Sequence, residues 1–174
     1  ERMAQLCGAA LSRRRILLCE AGTGTGKTFA YLVPAVLWAL ANQRKVVIST
    51  GTINLQEQIA DQDVPFLQDD LLPPFRSVLG KGRRNYASLR RAEEAAALPD
   101  DAFESEQERR ETLELVTWAR DTPSGDLSDL GFTPAPAAWE RVESQSDNCL
   151  GSRCPRFSDC HYYQTRRAAQ RAQI

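Results

Sequence analysis

The sequence predicts an α/β fold, a parallel sheet organised around a phosphate-binding loop and followed by a mainly helical region. Three observations point there. The apolar run Ile16-Leu17-Leu18-Cys19 leads into Glu20-Ala21-Gly22-Thr23-Gly24-Thr25-Gly26-Lys27-Thr28, and a helical apolar pattern from Phe29 to Leu40 leads out. A second buried-type run, Lys45-Val46-Val47-Ile48-Ser49-Thr50, comes next. After Gly80 the character changes to charge-rich helical stretches and turn-rich connections. Two strands separated by a helix make a right-handed parallel βαβ unit, whose ligand sits at the carboxyl ends of its strands.

Taken in order, residues 2–12 read as a helix with Met3, Leu6, Cys7, Ala10 and Leu11 on one face, ended by Arg13-Arg14-Arg15. Residues 16–19 are the first strand, 27–41 the helix after the loop, with Pro34 as a source of a kink, and 45–50 the second strand. Thr52 is the N-cap of a helix running to about Asp61, and Arg76-Ser77-Val78-Leu79 a short third strand. Residues 86–97 and 102–120 read as helices, 121–148 as loop because of Thr122-Pro123-Ser124-Gly125-Asp126 and Thr133-Pro134-Ala135-Pro136, and a basic helix starts near Tyr162. The resulting division is 1–80, 81–165 and 166–174.

The 174 residues carry a formal net charge of −1, so nucleic-acid affinity has to come from local patches. No run approaches the length of about 18 apolar residues that a membrane span needs, and no signal-peptide core is present, so a cytoplasmic protein without membrane contact is expected. The chain starts with Glu1 and reads as a piece of a longer protein.

The stretch Ala21–Thr28 has the residue types that phosphate chemistry asks for. Glycines let the backbone turn so that several N–H groups converge on one anion. The following helix adds its positive dipole end. Lys27 is placed to reach the β- and γ-phosphates of ATP and the Thr28 hydroxyl to hold Mg²⁺, while Gly22, Thr23, Gly24, Thr25 and Gly26 shape the cradle. Ala21 stands where the strict pattern has glycine, an exchange common in helicase-type ATPases.

Five cysteines occur; Cys7 and Cys19 sit in apolar settings and read as core residues. Cys149, Cys154 and Cys160 form a C-x4-C-x5-C pattern with Gly151 and Pro155 between them. Three thiols this close suggest an iron–sulfur or other metal site, with zinc an option if His161 supplies a fourth ligand. The basic stretch Lys81-Gly82-Arg83-Arg84-Asn85-Tyr86, with Arg90 and Arg91, offers phosphate contacts and one aromatic for single-strand binding; a solvated helix face is the plainer reading.

Ala21–Thr28, Ser49-Thr50-Gly51-Thr52 with Leu55 and Gln58, Lys81–Tyr86, and Asp147-Asn148-Cys149-Leu150-Gly151-Ser152-Arg153-Cys154-Pro155 stand in one order along nearly the whole chain. Together they resemble the DinG/YoaA group of superfamily 2 DNA helicases, relatives of XPD. The resemblance implies the first part of a RecA-like motor domain, an inserted, mainly helical [4Fe–4S] domain over 81–165, and a return to the motor from 166. It implies 5′→3′ ATP-dependent unwinding of single-stranded or forked DNA. Lys27 and Thr28 would bind ATP and Mg²⁺, Thr50 and Thr52 the DNA backbone, and Cys149, Cys154 and Cys160 the cluster. The family's fourth cysteine falls on Ser88, a poorer iron ligand, so an incomplete, labile or absent cluster is expected. The acidic Mg²⁺- and water-positioning motif of the family falls beyond Ile174, so the piece alone is expected to bind nucleotide weakly and to turn over little of it. The competing reading is a non-catalytic, metal-bearing single-strand-binding module beside a vestigial ATP site.

Overall fold

The computed structural model describes residues 1–174, the side chain of Asp70 excepted. The chain forms two compact units, one made of Glu1–Leu79 with Ala168–Ile174 and one of Gly80–Arg167.

In the first unit, α1 (Arg2–Arg13) packs on α2 (Lys27–Asn42). Helix α2 is continuous through Pro34, and its inner face supplies Leu32, Val36 and Ala39 to the interior. Thr52 does cap α3 (Ile53–Gln58), its hydroxyl accepting from Leu55 N at 3.3 Å. A π-helical turn over Ile59–Asp63 then joins α4 (Val64–Asp70). Leu32, Val36, Ile59, Val64, Leu67 and Phe75 form the core. No side chain of α1 is fully buried, and Leu6 is exposed.

The expected parallel sheet is not seen as assigned strands: among the described residues none is assigned over 16–19, 45–50 or 76–79. The reason lies in where the backbone groups pair. Val46 N donates to Gln173 O at 2.8 Å, Gln173 N to Arg76 O at 2.8 Å and Val78 N to Ile174 O at 3.0 Å. The carboxyl-terminal residues thus bond to both the expected second and the expected third strand segments. Ile16, Leu18 and Val47 are 95%, 93% and 83% exposed, so these apolar runs do not serve as core strands here. Cys19 is exposed as well, contrary to its reading as a core residue.

The second unit is built on α5 (Leu89–Ala96), α6 (Glu106–Asp121) and α7 (Pro136–Val142). Ala92 and Ala95, Leu115, Val116 and Ala119, and Ala138, Trp139 and Val142 interlock as its core. Serines cap the first two helices: Ser88 Oγ accepts from Arg91 N, and Ser105 Oγ from Glu108 N at 3.1 Å. Residues 121–148 are not one loop. Pro136 occupies the first turn of α7, where its missing N–H and fixed φ are no burden. Leu127, Leu130 and Phe132 pack against the core. Between these layers runs the short segment Tyr86–Ser88. Ala87 N donates to Gly125 O at 2.8 Å, Ser88 N to Val142 O at 2.7 Å, and Ser144 N to Tyr86 O at 2.7 Å. The final helix, α8, spans His161–Ala169.

Candidate nucleotide loop and cysteine pocket

Residues 21–28 form a turn that leads directly into α2. Gly24 and Gly26 lie at φ 72° and 73°, a left-handed region that L side chains rarely adopt, and Gly26 is the N-cap of α2. Thr25 Oγ1 ties the turn by donating to Gly22 O at 2.8 Å. The Lys27 ammonium donates to Ala21 O at 2.8 Å and Gly22 O at 2.9 Å, so its charge already rests on the loop's own carbonyls. A phosphate ligand would exchange those contacts for its oxygens, while the loop's N–H groups and the start of α2 receive the rest of its charge. Thr28 hydrogen-bonds with Tyr31. Burial raises the Tyr31 phenol above its usual pKa, the Thr28 bond opposes that, and the nearby Asp63 charge adds to it. Thr50 Oγ1 donates to Thr52 O at 3.1 Å, placing both threonines at the entrance to α3.

In the second unit Cys149, Cys154 and Cys160 line one small, partly open pocket, and Ser88 stands on its wall. Gly151 N donates to Cys149 Sγ at 3.4 Å. Burial pushes the Cys149 thiol up, but the Gly151 N–H, the Arg83 guanidinium and Tyr163 outweigh it and bring the thiol below its usual pKa. The donor chemistry is thus that of three soft thiols, one of them pre-disposed to ionise. Among the described residues, however, no three His, Cys, Asp or Glu side chains are assembled closely enough to hold a metal ion. Ser88 is occupied as the cap of α5. His161 is not a fourth ligand in this arrangement. Its ring is buried, Nε2 meets Ala119 O at 3.1 Å, and it packs on Gly125 rather than lining the pocket.

Most of the basic stretch faces inward. Tyr86 is 3% exposed, its hydroxyl accepts from Lys81 N at 3.0 Å and its ring meets Tyr162, so it is not available to stack on a base. Lys81 is buried against Asp126, with N–O 2.8 Å, and Ser128. Arg83 stacks over the Tyr162 ring with its guanidinium carbon 4.0 Å from the centroid. Arg91 donates to Gln145 and to Glu140 O. Arg84 alone of this run presents an open side chain, 76% exposed, and its contact with Glu143 is long at 3.7 Å.

Sequence reasoning missed a ring of arginines that holds the cysteine loop. Arg90 donates to Asn148 O at 2.9 Å, Arg156 pairs with Glu93 on α5, and Arg167 donates to Ser158 O at 2.7 Å. Tyr162 and Tyr163, directly after Cys160-His161, were a visible signal: two adjacent aromatics beside a cysteine cluster supply the faces on which Arg83 rests.

The DEAD/DEAH box helicase family model matches residues 3–104, more than half of the chain. The ATP-dependent helicase DinG of Mycobacterium tuberculosis H37Ra is 38% identical over 192 residues, covering 100% of this chain and 29% of the relative. The ATP-dependent DNA helicase YoaA of Escherichia coli K12 is 38% identical over 173 residues, covering 99% of this chain and 26% of the relative. A protein of Bacillus subtilis named 3′-5′ exonuclease DinG is 32% identical over 145 residues, 83% of this chain and 15% of its own length. The chain therefore spans under a third of the length of these relatives. With a left-handed glycine loop heading α2 and these matches, the chain belongs to the DEAD/DEAH box helicase family and is of the DinG type.

Proposed function

We propose that this chain is part of an ATP-dependent DNA helicase motor, in which residues 1–80 and 166–174 belong to the first motor domain and residues 81–165 are an inserted domain. One observation carries the reading: the loop Ala21–Thr28 holds two left-handed glycines at the head of α2 and directs the Lys27 ammonium to the loop carbonyls. ATP occupies that loop, with Lys27 compensating β- and γ-phosphate charge and the Thr28 hydroxyl serving Mg²⁺. Thr50 and Thr52 meet the DNA backbone at the entrance to α3, and Arg84 makes the outer phosphate contact of the inserted domain. The strand bound is single-stranded or at a fork, the polarity of movement is 5′→3′, and the work is done in the cytoplasm.

Cys149, Cys154 and Cys160, all on one loop, are the residues that would hold an iron–sulfur group if they drew closer together than they stand in this structure. Ser88 leaves that set one thiolate short.

The test uses the parent protein. Expected are ATP turnover stimulated by single-stranded DNA and unwinding of duplexes with a 5′ tail. A parent that neither hydrolyses ATP nor unwinds any tailed duplex overturns the motor reading in favour of a binding module. Unwinding from 3′ tails alone would overturn the polarity.

A further inference from the structure

We propose that the cleft where α1 and α2 both end is a second nucleic-acid strand site, separate from the nucleotide loop and from Thr50 and Thr52. The cleft has a volume of about 680 Å³, and its walls include Ser12, Arg14, Arg15, Trp38, Asn42 and Arg44. It lies at the opposite end of α2 from Lys27, about 24 Å away at 1.5 Å rise per residue over the helix.

Three features select a polyanion with flat bases as the occupant. First, Arg14, Arg15 and Arg44 are exposed, and among the described residues their guanidinium groups make no ion pair or hydrogen bond. On a chain of net charge −1, three unpartnered guanidiniums around one cleft are a local concentration of positive charge. The carboxyl-terminal ends of α1 and α2 favour cations, which accounts for charge there but not for a cleft lined with an indole. Second, Trp38 stands half-buried on the same wall, and the Asn42 amide beside it donates to the Trp38 backbone carbonyl at 2.8 Å. An indole face beside guanidiniums is the combination on which bases stack while phosphates are neutralised. Third, the arginines are held by backbone. Both helices end in the same left-handed cap, Arg14 at φ 52° and Gln43 at φ 50°, with Arg15 N on Ala10 O at 2.9 Å and Arg44 N on Ala39 O at 3.0 Å. Such caps are a common way for a helix to end, and here they fix the backbone from which Arg15 and Arg44 project.

The proposal rests on the nucleic-acid reading given above, and the test separates the two. Oligothymidylate is titrated into the 174-residue chain, following anisotropy at several salt concentrations and tryptophan fluorescence. Replacing Arg14, Arg15 and Arg44 together by Gln is expected to lower the log–log salt slope by roughly 0.7 per lost contact, about 2 in all. Replacing the three by Lys, which keeps the charge, keeps the slope and guards against a folding artefact, as does the circular dichroism of each variant. Trp38→Leu is expected to remove most of the fluorescence quenching while leaving the slope in place. Binding whose slope and quenching ignore these changes overturns the cleft and leaves the helicase reading standing. No binding of oligothymidylate by either chain or parent overturns both. Quenching by poly-glutamate but not by oligothymidylate assigns the cleft to an acidic polypeptide and overturns the strand site.

Discussion

Among the glycines of the second unit, Gly125 has the least room for a side chain, and replacing it by alanine tests how the core and the cysteine region are joined. Its φ is +65°, and an added Cβ would stand 2.4 Å from ring atoms of the buried His161. Its N–H donates to Thr122 Oγ1 at 3.1 Å and its carbonyl accepts from Ala87 N at 2.8 Å, so the backbone cannot swing away without breaking the segment that carries Ser88. A left-handed alanine costs about 1–2 kcal/mol. Overpacking against a ring held by Ala119 O adds about 1–3 kcal/mol. At roughly 4–8 °C per kcal/mol for a unit of this size, Gly125→Ala lowers Tm by about 10 °C or more. Thermal unfolding followed by circular dichroism reads this directly. Gly131→Ala is the control, because a Cβ there meets nothing within 4 Å. The double variant Gly125→Ala with His161→Ala should lose less than the sum of the singles, since the clash is gone once the ring is removed. A Gly125→Ala protein that melts with the wild type would refute the packing of His161 on this turn.

Three further outcomes follow from the same geometry. Lys27→Ala in the parent should abolish ATP turnover while single-strand binding persists, measured by phosphate release and anisotropy; turnover at the wild-type rate removes Lys27 from the phosphate site. Ser105→Ala removes the cap that accepts from Glu108 N and should cost about 1 kcal/mol, a Tm decrease of a few degrees in the second unit; an unchanged Tm argues against that cap. Asp63 has its carboxyl raised above 3.8 by burial, and its Oδ2 has no hydrogen-bond partner. The native state thus binds the Asp63 proton more tightly than the unfolded chain does. This contribution is full below the unfolded pKa and is lost as pH rises through the folded one. Melting of Asp63→Asn should lack that decline, and identical Tm–pH curves for the two proteins would reject it.

The glycine turn heading α2 was legible because every local cue agreed: alternating glycines, Lys27-Thr28, and an apolar helix behind them. Thr52 as a cap was legible for the same reason, since an N-cap is a local hydrogen bond. What pairs with the expected strands was not legible, because pairing is decided by distant backbone: Val46 and Arg76–Val78 meet Gln173 and Ile174, which no window around either segment contains. Helix α7 was missed because Pro134 and Pro136 look like turn residues, although proline is also a good first helical residue. The basic run misled for a different reason. Charge in sequence says nothing of direction, and only tertiary packing turned Lys81 toward Asp126 and Arg83 toward Tyr162 while leaving Arg84 open.

Ser88 decides whether the cysteine pocket can become a metal site, and Ser88→Cys is the substitution that settles it. The serine lies on the pocket wall with Cys149, Cys154 and Cys160, and its N–H is fixed to Val142 O at 2.7 Å. A thiol at that Cβ would therefore enter the same pocket without moving backbone. The exchange also removes a hydroxyl cap whose bond to Arg91 N is already long, at 3.4 Å. Losing a serine cap costs about 1 kcal/mol or less, so the metal-free variant should melt slightly below the wild type. With iron and sulfide supplied anaerobically the order should reverse. Four thiolates would tie the start of α5 to the loop before α8, across some sixty residues whose ordering otherwise carries a loop-closure cost. Iron per chain, visible absorbance and Tm should then rise together in Ser88→Cys and stay low in the wild type. A wild type that holds four irons per chain, stable in air, with no gain on substitution would show that a different residue completes the site. A variant that gains neither iron nor Tm would show that the pocket does not serve a metal at all.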